Sequence, residues 1–143
     1  MKTIICGIDE SPSARAALRV AARLAEEQGA RLVAVHVLDR LADTGPAPDW
    51  LAANVLYEEA PDTSAEARGE VGDVAERLAA VAAEEDASMI VLGARSRGRS
   101  RTFLRARCAA ELGELTSVPV LVAPLQLAAI KASPESMIRG GRR

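Results

Sequence analysis

Apolar positions along the chain come in two rhythms that alternate from one end to the other. Thr3 to Ile8 is a short apolar run, followed by Asp9, Glu10, Ser11 and Pro12. Ser11 is placed to cap a helix whose first residue is Pro12, where a missing N–H costs nothing. Ala14, Ala17, Leu18, Ala21, Leu24 and Ala25 then recur at helical spacing, with Arg15, Arg19, Arg23, Glu26 and Glu27 turned outward and Gly29 as the stop. Residues 31–38, RLVAVHVL, are nearly continuous in apolar content, as expected of a strand covered on both faces of a parallel sheet. This first strand–helix–strand unit is expected to cross over right-handed.

The pattern then repeats. Gly45, Pro46 and Pro48 break the chain, and residues 49–60 read as a short helix with Trp50, Leu51, Val55 and Leu56 turned inward, ended by Pro61 and Asp62. A weak strand is placed at 65–71, where Arg68, Gly69 and Glu70 have poor β propensity, so it belongs at a sheet edge. Asp73 caps a helix with Val74, Leu78, Val81 and Ala82 on one face, running to Asp86. A buried strand at 88–92 ends at Gly93 and empties into a loop rich in arginine. A helix with Leu104, Cys108, Leu112 and Leu115 on one face follows, and 118–123 is the last strand. Pro119 near its start favours an edge position. The alternation of β and α predicts a single doubly wound α/β domain, a parallel sheet with helices on both faces. The domain is set at residues 1–124, and residues 125–143 are read as a partly disordered C-terminal extension.

Composition sharpens this picture in two places. Apolar residues make up 49% of the 143, yet there is one Trp, one Tyr and one Phe, so the core must be built from Ala, Val, Leu and Ile. The net charge of −2 argues against polyanion binding by the surface as a whole. The distribution is less even, since residues 95–107 carry six of the 18 basic side chains. Cys6 and Cys108 show no paired spacing and are expected to be free, buried and in a reducing compartment. The N-terminal apolar run is too short for a signal peptide and no stretch reaches the ~20 apolar residues of a membrane span, so a cytoplasmic location is expected.

Candidate chemistry gathers at two places. A strand that empties into a Gly/Ser/Arg loop and opens a helix is how α/β proteins hold phosphate, with backbone N–H groups and the helix N-terminus facing the anion. In a doubly wound sheet the ligand lies beyond the strand C-termini where the strand order reverses. If the first and fourth strands are neighbours there, Asp9 and the Gly93 loop share one crevice. Asp9 also has a plain role at a helix N-terminus, where an acid is favourable. The arginine run is equally readable as a solvated surface loop. His36, the only histidine, is expected at a strand end with one ring nitrogen satisfied. No G-x-S-x-G, H-E-x-x-H or G-x-x-x-x-G-K-[ST] pattern occurs, and the turn after the first strand lacks the glycines of a Ser-Gly-Gly-x-Asp-Ser phosphate loop. A catalytic role is therefore not expected, and no metal is implied.

Several of these stretches resemble the universal stress protein family. They are Gly7 to Leu18, Val35-His36-Val37, the Gly72-Asp73 helix start, Ile90-Val91-Leu92-Gly93 and Val118 to Val122, in order and suitably spaced over residues 2–124. The resemblance implies a five-stranded sheet of order 3-2-1-4-5, homodimers paired through the last strand (118–123), and a role in stress survival. It also implies, for one branch of the family, ATP binding through G-2x-G-9x-G-[S/T] after the fourth strand. Here Gly93 matches the first glycine, the second falls on Ser96, and the final pair falls on Ala106 and Arg107. Arg97 and Gly98 are further candidates in the same loop, and Asp9 and Val37 stand where the nucleoside contacts would be. A methyl at 106 sits where bare backbone would touch phosphate, and the cation at 107 either clashes with a triphosphate or clamps it.

Three functions follow as expectations. The first is a non-catalytic stress-response regulator or adaptor with weak or lost ATP binding. The second is a working site for ATP, AMP or a cyclic nucleotide, with slow or no hydrolysis. The third is a protein that contacts anions or nucleic acid through the arginine-rich loop, read as residues 95–107. Against the nucleic-acid reading stand the acidic remainder and the lack of a stacking platform, for which Phe103 alone is too little.

Overall fold

A computed structural model describes residues 2–38, 48–61, 63–94 and 100–124, with residues 48, 49 and 100–107 described by their backbone alone. Within them run β1 (Thr3–Gly7), α1 (Pro12–Gln28), β2 (Arg31–Leu38), α2 (Pro48–Glu59), β3 (Ala65–Val71), α3 (Val74–Glu84), β4 (Met89–Gly93), α4 (Ser100–Leu115) and β5 (Val120–Ala123). The five strands form one sheet of order β3-β2-β1-β4-β5. Every neighbouring pair is parallel, as the near-continuous apolar strands imply. Strand order reverses between β1 and β4, which pair with Ile5 opposite Ile90.

The sheet divides the core in two. On one face Ile4, Cys6, Leu32 and Ala34 pack against Ala14, Ala17, Leu18 and Ala21 of α1 and Leu51, Ala52 and Val55 of α2. On the other, Ile5, Val33, Val35, Ile90 and Leu92 pack against Leu78, Val81 and Ala82 of α3 and Cys108 and Leu112 of α4. Adjacent strand residues thus serve opposite faces. Both cysteines are buried, one in each half of the core.

The helix ends follow local chemistry. Ser11 Oγ accepts from the Ala14 N–H at 3.1 Å, and Gly29 ends α1 in the left-handed region at φ 64°. Asp73 caps α3 through the Glu76 N–H at 3.0 Å. That helix stops at Glu84, short of the expected 86, because Asp86 itself turns left-handed at φ 53°. Ala87 N–H then reaches back to the Ala82 carbonyl at 2.9 Å, satisfying a helix-end acceptor.

β3 is an edge strand, as its composition predicts, and ion pairs explain how so polar a strand holds its place. Ala65 and Ala67 pack against the core on the α1/α2 face. Glu66, Arg68 and Glu70 alternate with them and enter a network toward α3. Arg68 Nε bonds Glu70 Oε2 at 2.8 Å, and Arg68 Nη1 meets Glu85 Oε2 at 3.1 Å. Arg68 also pairs with Glu84. Glu70 Oε1 accepts from Arg77 Nη2 at 2.8 Å, and Arg31 links Glu85 to Glu66 at 2.8 and 2.9 Å. Arg68 first, and Arg77 after it, hold the Glu70 carboxyl below the usual carboxylate range against the opposing effect of burial. Hydrogen bonds to Glu84 and Glu70 push the Arg68 guanidinium up. On the other face Arg15 joins α1 to α2 through Glu58 at 2.6 Å and Glu59 at 2.9 Å, and Arg19 pairs with Glu59 as well.

Three inward assignments are corrected, the first being Val74, which stands 36% exposed at the start of α3 while Ala75 joins Leu78, Val81 and Ala82 in the core. Trp50 is 58% exposed, while Leu51, Ala52 and Val55 take the inward side of α2. One residue of helix turns a side chain by about 100°, so burying Leu51 and Val55 carries Trp50 off that face. Leu115, half exposed on the last residue of α4, yields its place to Val118, which packs on the α3/α4 side of the core. β5 also starts at Val120 rather than 118, after Pro119, and lies at the edge as expected.

Candidate functional site

The crevice at the reversal is built from the ends of β1, β2 and β4. One residue past β1, the Ile8 N–H donates to the Val35 carbonyl at 2.8 Å, and the Ile8 carbonyl lies 2.8 Å from His36 Nδ1. Next comes Asp9, half-buried, whose Oδ1 accepts from the Ser11 N–H at 2.8 Å. This local turn, closed by a carboxylate, hands the chain to the Ser11 cap and so to α1. His36 therefore has the satisfied nitrogen expected of it.

Opposite lies Gly93. A Cβ there would come 2.4 Å from Ser13 Oγ, 2.6 Å from the Ser13 carbonyl oxygen and 2.7 Å from its carbon. The first turn of α1 therefore rests directly on the end of β4, and only a glycine admits it. Ser13 is fully buried, a residue that sequence reasoning passed over. The signal for it was slight: a second serine just inside a helix start, facing a strand-terminal glycine. Just past Gly93 the Ala94 N–H donates to the Ala123 carbonyl at 2.8 Å.

Asp9 and Gly93 are thus brought to one rim, bridged by the Ser11–Pro12–Ser13 turn. Val37, near the end of β2, is buried among Val35, Ala75 and Leu78, so most of its side chain belongs to the core under α3. Ser96, Arg97 and Gly98 lie outside the described residues. Ala106 and Arg107 are placed by backbone in the second turn of α4, since that helix begins at Ser100. The loop expected to run on to 107 therefore ends earlier. The helix-start N–H groups belong to residues 100–103, and those of 106 and 107 lie past them, where the helix bonds each N–H to its i−4 carbonyl.

Among the described residues no group of His, Cys, Asp or Glu is placed to hold a metal ion. A depression of about 320 Å³ lined by Arg23, Glu26, Gly29, Thr63 and Ser64 lies at the opposite, N-terminal end of the strands. It is open, holds no convergent polar set and is remote from the reversal, so the topological argument outweighs it. No helix among the described residues is long and apolar enough to cross a membrane.

A five-stranded, doubly wound parallel sheet with a crevice at its strand reversal defines the class: a Rossmann-like α/β domain. Within that class the chain belongs to the universal stress protein family, whose model matches residues 1–124. Solved structures agree. A universal stress protein family member from Burkholderia pseudomallei is 29% identical with a TM-score of 0.59, covering 86% of this chain and 96% of its own. A universal stress protein in complex with cAMP is 23% identical with a TM-score of 0.67, covering 87% and 97%. A third, from Archaeoglobus fulgidus in complex with dAMP, is 20% identical with a TM-score of 0.57, covering 86% and 98%. No curated protein matches the chain.

Proposed function

We propose that this chain is a non-catalytic, cytoplasmic stress-response regulator or adaptor whose β1–β4 crevice binds ATP weakly or not at all. The observation that carries this reading is the position of Ala106 and Arg107. They stand where the family motif has Gly-Ser/Thr, yet they lie in the second turn of α4, where backbone N–H groups serve the helix rather than a phosphate. Gly93 adds support from the other side, because its contact with Ser13 accounts for the glycine without any ligand.

The test is calorimetric titration with ATP of the parent and of the double variant Ala106→Gly, Arg107→Ser. Glycine at 106 costs a helix interior about 1 kcal/mol, which favours opening the start of α4. The variant should bind ATP at least tenfold more tightly, a gain of about 1.4 kcal/mol. Tight ATP binding by the parent that is lost on Arg107→Ser alone would overturn the proposal and identify Arg107 as a clamp.

A second reading draws on the related structures holding cAMP and dAMP. In it the same crevice takes an adenine mononucleotide, with Asp9 and Val37 at the nucleoside and Gly93 and the following loop at the phosphate. Mass spectrometry of nucleotide co-purified with the protein separates the two readings.

A further inference from the structure

We propose that His36 is the positioning residue of the crevice, setting through the Ile8 carbonyl the direction in which Asp9 is presented. The inference rests on reading the β1–β4 crevice as the ligand site. Ile8 lies just beyond the last paired residue of β1, Gly7, which stands opposite Val35. Two residues of β2 hold it there: its N–H donates to the Val35 carbonyl and its carbonyl meets His36 Nδ1, both at 2.8 Å. A carbonyl oxygen only accepts, so Nδ1 carries the proton. In the neutral ring Nε2 is then an acceptor, and in the cation both nitrogens donate, so the Ile8 bond persists in either state.

With that carbonyl anchored, the Ile8–Asp9 peptide plane is fixed, and with it the starting direction of Asp9. The remaining contacts run on without a gap. Asp9 accepts from Ser11, Ser11 caps α1, and Ser13 rests on Gly93. In this succession from β2 to β4 the histidine reaches sideways from another strand by its side chain. An apolar residue at 36 would suit the run RLVAVHVL at least as well for burial alone. A half-buried polar ring has a desolvation cost that its hydrogen bond offsets, and what it adds is a fixed geometry at the rim.

The chain has a single histidine, so one ring reports in nitrogen-15 spectra of the full-length protein. Protonated Nδ1 and bare Nε2 in the neutral form are expected, and a neutral ring protonated on Nε2 overturns the proposal. Two variants extend the test. His36→Leu removes the donor, while His36→Asn places an amide N–H close to where Nδ1 stood. Amide exchange at Ser11 should quicken at least tenfold in His36→Leu and stay within threefold of the parent in His36→Asn, with exchange at Leu18 and Ala21 unchanged in both. Unchanged Ser11 exchange in His36→Leu overturns the proposal. With AMP as the probe, His36→Leu should weaken binding at least tenfold and His36→Asn should restore it at unchanged melting temperature. Absence of AMP binding by the parent would refute the crevice as a mononucleotide site, and the tautomer and exchange results would still decide the role of His36.

Discussion

Replacing Gly93 by alanine adds one methyl group at the point where α1 meets β4, and the structure makes its cost calculable in outline. The new Cβ would lie 2.4 Å from Ser13 Oγ, 2.6 Å from the Ser13 carbonyl oxygen and 2.7 Å from its carbon. A hydroxyl rotates out of the way, but the carbonyl does not. Relief requires the first turn of α1 to lift from the sheet, disturbing Ala14 and Ala17, both fully buried. Overpacking a core typically costs 1–3 kcal/mol, and a clash with backbone belongs at the top of that range, about 3 kcal/mol. For a domain of this size that lowers the melting temperature by roughly 12 °C. Gly113→Ala is the matched control, since Gly113 is exposed within α4 and an added Cβ meets nothing within 4 Å. It should stabilise the protein by about 0.5–1 kcal/mol through helix propensity alone. Urea denaturation of the three proteins, with m-values compared, reads both effects. A Gly93→Ala protein within about 0.5 kcal/mol of the parent would refute the packing argument. Gly93 would then again need a ligand to explain it.

Acid should weaken the fold partly through Glu70, whose carboxyl Arg68 and Arg77 hold below its ordinary value. A carboxylate with a lowered folded pKa contributes stability above its unfolded value of about 4.5, lost as pH falls through the folded one. Urea midpoints between pH 7 and pH 3 should therefore drop less steeply in Glu70→Gln than in the parent, and equal slopes would contradict the assignment. On the opposite edge, Leu121 and Val122 of β5 are 37% and 41% exposed, an apolar strand edge fit for isologous pairing with a second copy. Sedimentation at micromolar concentration should give a dimer for the parent and a monomer for Val122→Glu, and a monomeric parent would end the idea.

Much of this molecule is written locally. The Ser11–Pro12 start and Gly29 stop of α1, the Asp73 cap of α3 and the apolar run of β2 need only near neighbours to be understood, and the structure reproduces them. The edge position of β3 was legible because Arg68, Gly69 and Glu70 suit no central strand. Asp9 and Gly93 were legible as a pair because a doubly wound sheet places its crevice at the strand reversal. Other features depended on what the chain meets after folding. Periodicity says which side chains share a helix face, but not which face finds cover, so Trp50 and Leu115 stand exposed while Val118 goes inward. The family motif placed Ala106 and Arg107 in a phosphate loop, and α4 begins at Ser100 instead. The reason for Gly93 lies 80 residues away in Ser13, and the partners of Arg68 lie on another element in Glu84 and Glu85. Contacts between residues far apart in the chain are set by how helices settle on the sheet, and no local pattern of residues carries that information.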